Sequence, residues 1–178
     1  MPRVLSDNEI NALLAEPKPL PQDWRKKLSL RQKSDARFKQ RELTLRTETG
    51  NKFIVKLRHN TQSPLDFSVI LVFVASDGTD YRLTRYQGPH PSQHTNKLEK
   101  AKNLRNTSFR NRFHIHRATE RYQREFGFKM IDGYAEPTDR YASFESALDL
   151  FLRSNGFLIP EENDPDQMRF RFGKGNEG

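Results

Sequence analysis

The sequence predicts an α+β fold: a twisted antiparallel sheet of about five or six strands built from hairpins, with two or three helices packed on one face. Three observations carry this expectation. Residues 36–60 read as two alternating arms around a Gly-containing turn, and residues 65–87 as an arm apolar on both faces through Ile70, Val72 and Val74, hence a central strand covered on both sides, followed by an amphipathic return arm. Residues 141–157 repeat apolar side chains with the period of an amphipathic helix. The longest apolar run, FSVILVFVA, is short and β-branched, which suits a buried strand.

LSDNEINALLAEP predicts a short helix, with Ser6 and Glu9 as a capping box and Ile10, Leu13 and Leu14 on one apolar face. Pro17, Pro19 and Pro21 end it and stiffen the connection to Trp24. Trp24 reads as a lid over the core. In the first hairpin Leu43 and Leu45 alternate with Thr44 and Arg46, the turn lies near Gly50, and Phe53, Val55 and Leu57 alternate with Ile54, Lys56 and Arg58. The second hairpin turns at Asp77-Gly78. Its return arm is expected to set Tyr81, Leu83 and Arg85 against Arg82, Thr84 and Tyr86.

Residues 88–107 are Gly-, Pro- and polar-rich, hence a loop with a helical turn near 96–104. SFRNRFHIH, residues 108–116, reads as a strand with Phe109, Asn111, Phe113 and Ile115 on one face and Arg110, Arg112, His114 and His116 on the other. ATERYQREFG is a helix, with Thr119 as cap and Gly127 as stop. The last helix has Ser143 as cap, Phe144, Ala147, Leu148, Phe151 and Leu152 as its apolar face, and Gly156 as stop. This divides the chain into an N-terminal helix and Pro-rich arm (1–24), a single α+β domain (25–158), and a flexible acidic and Gly-rich tail (159–178).

Charge is unevenly placed. Residues 25–58 hold twelve Lys/Arg and three acids, a net of +9, and residues 82–129 hold the same numbers. Residues 130–178 hold five Lys/Arg against ten acids, a net of −5. The middle of the chain is therefore far more basic than the total of +8, a field that attracts polyanions, nucleic acid above all. Without cysteine there is no disulfide and no Cys-based zinc site. No apolar run has signal-peptide or membrane-helix length, so the expected setting is the cytoplasm, with no membrane partner. Walker loops, Gly-x-Gly-x-x-Gly, His-Glu-x-x-His and nucleophile elbows are also absent from the sequence.

Four of the five histidines, His90, His94, His114 and His116, fall within 27 positions. Three readings stay open. Imidazoles titrate near neutrality, so they can transfer protons on a phosphodiester while Arg110 and Arg112 hold phosphate. His-x-His on a strand can also ligate a metal, although the surrounding arginines oppose it. The rings can otherwise bind or support without chemistry. His59, at a hairpin end, reads as structural. Five tyrosines interleave with the basic residues and could stack on unpaired bases.

The strings QHTNKLE, FHIHRATERYQ and YAEPTDRYASFESAL resemble a family of small, basic, uncharacterised bacterial proteins with HTN, HIHxATERYQ and YAxPTDRY motifs. LSDNEINALLAEPK and PLDFSVIL extend the likeness over most of residues 5–157. More distantly, VILVFVASDGTDYRLTRYQGPHPSQH followed by YASFESALDLFL is similar in order to TumE-like toxins of bacterial toxin–antitoxin modules. That resemblance implies a functional loop holding Arg85, His90 and His94.

The leading expectation is a protein directed at nucleic acid, RNA favoured: a toxin-like, metal-independent ribonuclease without cofactor. His94, His114 and His116 are its expected catalytic residues. Arg85, Tyr86, His90, Arg110, Arg112 and Tyr122 are its expected nucleic-acid contacts. A cognate protein such as an antitoxin is an expected partner. The alternative is a non-catalytic nucleic-acid- or protein-binding module: an antitoxin, a regulator, or a phage- or defence-associated inhibitor.

Overall fold

Helix α1 (Asp7–Ala15) begins as its sequence requires. The Ser6 hydroxyl accepts from the Glu9 N–H, and the Glu9 carboxylate accepts from the Ser6 N–H. The computed structural model describes residues 2–29, 31–32, 37–104 and 107–161. After α1 come β1 (Lys18–Pro19), α2 (Trp24–Lys27), β2 (Arg31–Gln32), β3 (Phe38–Arg46), β4 (Lys52–Asn60), β5 (Phe67–Val74) and β6 (Asp80–Gln87). The chain continues through β7 (His94–Thr95), α3 (Lys97–Ala101), β8 (Ser108–Phe109), β9 (His114–Arg117), α4 (Glu120–Phe126), β10 (Tyr134–Pro137), α5 (Phe144–Ser154) and β11 (Phe157–Leu158). The tail from residue 162 lies outside the described residues.

The α+β class is borne out. The main sheet is antiparallel, in the order β10-β9-β6-β5-β4-β3-β2. Six of its strands have four to nine residues; β2 adds a two-residue edge. The hairpin turns use glycines in the left-handed region, Gly50 at φ 88° and Gly78 at φ 83°, where a Cβ would be strained.

One sheet face is the core. Leu43, Leu45, Phe53, Val55, Leu57, Val69 and Leu71 are buried there. Helix α5 lays Phe144, Ala147, Phe151 and Leu152 against them, with Phe151 edge-on to Tyr86 at 5.4 Å. Each fully buried Phe or Leu contributes about 1.5–3 kcal/mol. Trp24 is buried in the same core, as expected.

The N-terminal segment, expected as an arm, is built into this core. Leu5, Ile10 and Leu20 are buried, and β1 pairs in parallel with β11. Lys18 sits at this junction. It is fully buried. The three N–H donors of its ammonium are shared among the carbonyls of Leu13, Leu14, Glu16 and Asn155, at 2.7, 3.0, 2.8 and 3.0 Å from Nζ. It also lies 4.6 Å over the Phe53 ring. The group thus closes the C-terminal end of α1 and ties it to the end of α5. Desolvation pushes its pKa down to about 8, against the opposing pull of Glu16.

Candidate functional site

A one-residue irregularity positions the site. Between β5 and β6 the register runs Phe73↔Tyr81 and Val72↔Arg82, then Leu71↔Thr84, Ile70↔Arg85 and Val69↔Tyr86. Leu83 is the extra residue of a β-bulge. Simple alternation placed Arg85 with Tyr81 and Tyr86 with Arg82; the bulge reverses both. Tyr86 turns into the core, buried and stacked 5.7 Å from Tyr141. The expectation that Tyr86 contacts nucleic acid is corrected accordingly. Arg82, Arg85 and Gln87 share the opposite, polar face.

Strand β9 continues that face. His116 pairs with Arg85 and His114 with Gln87, while Ile115 follows Tyr86 into the core. The expected continuous strand over 108–116 is broken. Asn111 takes φ 54° and its N–H donates to the His90 carbonyl, which folds the preceding loop over β9. This break removes Arg110 and Arg112 from the histidine face. Both are exposed, and Arg110 donates to Gln93 Oε1 at 2.8 Å.

The four histidines do converge. Ring centres lie 5.1 Å apart for His90–His114, 6.1 Å for His94–His114, 4.9 Å for His94–His116 and 5.1 Å for His114–His116. Their environments differ. His114 and His116 are 1% and 4% exposed, whereas His90 and His94 are half-buried at the rim.

Hydrogen-bond partners decide what each ring can do. His114 Nδ1 lies 2.7 Å from the Arg112 carbonyl, and His116 Nδ1 lies 2.9 Å from the Asp132 carbonyl. A carbonyl only accepts, so both Nδ1 atoms carry protons. Both Nε2 atoms lie against Gln87 Oε1, at 3.2 and 2.9 Å. With Nδ1 protonated and the rings neutral, each Nε2 is a lone pair, so the hydrogen-bond network assigns the amide the opposite orientation, with its NH2 toward the two rings. Burial, the largest cause, pushes the His114 pKa down to about 4 and that of His116 to about 2, with Arg85 and the neighbouring imidazoles adding to both. These two rings are therefore neutral near pH 7, with every nitrogen occupied. That corrects their expected role as proton-transfer groups.

Arg85 is the cation within the cluster. Its Nη2 lies 3.3 Å from both ring nitrogens of His116, so the guanidinium rests against the ring. Its Nε lies 3.5 Å from Asp132 Oδ2, an ion pair too long for a hydrogen bond. Both atoms are buried without a hydrogen-bond partner among the described residues. Arg82 holds the other Asp132 oxygen at 3.3 Å.

His94 is arranged differently. Asn96, buried between α3 and the sheet edge, accepts from the Ala135 N–H through Oδ1 at 2.9 Å and donates to the Ala135 carbonyl through Nδ2 at 2.8 Å. This pairing fixes which amide atom is the oxygen. The oxygen also lies 2.8 Å from His94 Nε2, so Nε2 carries the proton. Nδ1 of His94 is then a lone pair with no hydrogen-bond partner among the described residues. Desolvation lowers the His94 pKa, Asn96 opposes it, and Arg85 and His90 add to it. The ring is held as a neutral, oriented base.

Tyr122 is also corrected. It is buried, and its hydroxyl donates to Glu99 Oε2 at 2.6 Å, beside the Arg121–Glu99 ion pair. Burial and then Glu99 push its pKa up to about 12. It joins α3 to α4 and does not reach a nucleotide. Gln87, Asn96 and Asp132 were not singled out from the sequence. Only the pairing of β6, β9 and β10 brings them to the histidines.

Among the described residues no three His, Asp or Glu side chains are placed to share a metal ion, and no helix is long and apolar enough to cross a membrane. Comparison of the chain with protein-family models, curated proteins and solved structures finds no match.

Proposed function

We propose that this protein is an RNA-directed, metal-independent phosphodiester-cleaving enzyme of the cytoplasm, in keeping with its resemblance to TumE-like toxins and with a cognate protein as regulator. The observation that supports this best is His94: fixed by Asn96, with Nδ1 open, its ring centre 6.1 Å from that of His114, while the His90 ring lies 5.1 Å from the same ring. Neutral His94 takes the proton of a ribose 2′-OH, whose oxygen attacks the adjacent phosphorus. His90 gives a proton to the departing 5′-oxygen, leaving a 2′,3′-cyclic phosphate. Arg110 and Arg112, exposed on the loop before β9 and off the histidine face, contact the RNA backbone beside the site. His114, His116 and Arg85 support the rim residues from beneath. A guanidinium inside the cluster repels a divalent cation, which favours a route through imidazoles alone.

The test is cleavage of RNA by the full chain in EDTA, with the products analysed for cyclic phosphate. His94→Ala or His90→Ala lowers turnover by about 10²- to 10⁴-fold. Undiminished cleavage in His94→Ala would overturn the assignment. The burial of His114 and His116 favours a second reading, a binding module without chemistry. Its signature is salt-dependent RNA binding with no product in the wild type.

A further inference from the structure

The histidine cluster is one end of a longer surface. Two register rows leave it across the polar face of the sheet. One runs His116–Arg85–Ile70–Lys56–Glu42, the other His114–Gln87–Ser68–Arg58–Gln40. Three strand spacings separate β9 from β4, about 14 Å. The first row runs from buried His116 through half-buried Arg85 and Ile70 to half-buried Lys56; the second runs from buried His114 through half-buried Gln87 and buried Ser68 to exposed Arg58. Arg58 holds its guanidinium 3.4 Å from the centre of the Phe38 ring. Arg46 and Lys52 extend the positive face. Among the described residues the acids there are Glu42, 3.5 Å from Lys56, Asp80 at the far end of β6, and Asp132, which pairs with Arg82 and Arg85 at the histidine end.

We propose that this face is a track for single-stranded RNA leading into the histidine site. Lys56 and Arg58 grip backbone phosphate a few nucleotides from the scissile bond. The stacked Phe38–Arg58 pair receives a base. The charge fits a polyanion, the arginine–aromatic plane fits a base, and the rows are continuous with the site. Ile54 and Ile70 supply the small apolar strip between the cations. The track rests on the ribonuclease reading of the histidine site, yet binding to it can be measured without turnover.

The experiment measures fluorescence anisotropy of a labelled 12-mer polyuridine, over a salt series, with the full chain. Cleavage of the 12-mer and of a uridylyl dinucleotide is measured in parallel. Lys56→Ala with Arg58→Ala weakens 12-mer binding on the order of tenfold or more and reduces the salt slope by about 1.4, two single-strand contacts' worth. Dinucleotide cleavage stays at the wild-type rate, because a dinucleotide does not reach β4. Phe38→Ala weakens the 12-mer with little change in slope. Removing the same charge from the opposite layer, Lys26→Ala with Arg153→Ala, leaves both readings unchanged. The proposal is overturned if the wild type fails to bind the 12-mer or if the opposite-layer variant weakens binding as much. It is also overturned if dinucleotide cleavage falls in step with binding, or if duplex RNA binds equally and loses equally. Loss of turnover in His94→Ala with binding retained tests catalysis separately.

Discussion

Replacing Asn96 by aspartate tests the site at its most specific contact. The aspartate keeps an acceptor for the Ala135 N–H and for His94 Nε2–H, at the present 2.9 and 2.8 Å. It loses the NH2 that now donates to the Ala135 carbonyl at 2.8 Å. An unsatisfied buried carbonyl costs about 1–3 kcal/mol, so the fold should survive with a lower melting point. The electrostatic effect has the opposite character. A carboxylate in hydrogen-bond contact stabilises the imidazolium and raises the His94 pKa by about one pH unit or more. It works against the burial, Arg85 and His90 that now lower that pKa. If neutral His94 is the base, the acid limb of log kcat/KM for RNA cleavage moves to higher pH by the same amount. Below the limb, activity falls about tenfold for each pH unit that the limb moves. Asn96→Ala removes the orienting contact altogether and lowers turnover at every pH. The His94 ring titration by NMR gives the same answer without turnover. A limb and a titration that stay in place, or move to lower pH, would refute the orientation argument.

The buried groups give two further expected outcomes. His114 has a folded pKa of about 4 against the ordinary 6.5, so the unfolded chain binds its proton first as pH falls. Its stabilising effect is therefore full above pH 6.5 and is lost as pH falls through the window to about 4, a loss on the order of 2–3 kcal/mol. Urea midpoints across that window should fall in the wild type and fall less in His114→Gln; parallel curves would show that His114 is not the group responsible. Lys18→Met keeps most of the volume but leaves the carbonyls of Leu13, Leu14, Glu16 and Asn155 without their donor. A loss of about 3–5 kcal/mol in urea unfolding is expected, and an unchanged midpoint would remove Lys18 from its place as the junction's anchor.

Much of the architecture could be read locally. The Ser6–Glu9 capping box, the Thr119 and Ser143 caps and the Gly50 and Gly78 turns depend on residues within a few positions of one another. Alternation in β3 and β4 likewise told inside from outside, because a regular strand has a period of two. The gathering of His90, His94, His114 and His116 was a legible possibility from their spacing alone.

The arrangement within that gathering was decided by tertiary contacts. The bulge at Leu83 is set by which β5 residues β6 must pair with on either side of it. One inserted residue then sends Tyr86 to the core and Arg85 to the histidines. The break at Asn111 separates Arg110 and Arg112 from His114 and His116. Asn96 meets Ala135, and Lys18 meets Asn155, across 39 and 137 positions respectively. The residue order alone determined helices, hairpins and a basic middle, because capping, turn geometry and periodicity act over a few neighbours. Only the folded chain decided which imidazole keeps a free nitrogen, because that depends on burial and on partners supplied by strands distant in sequence.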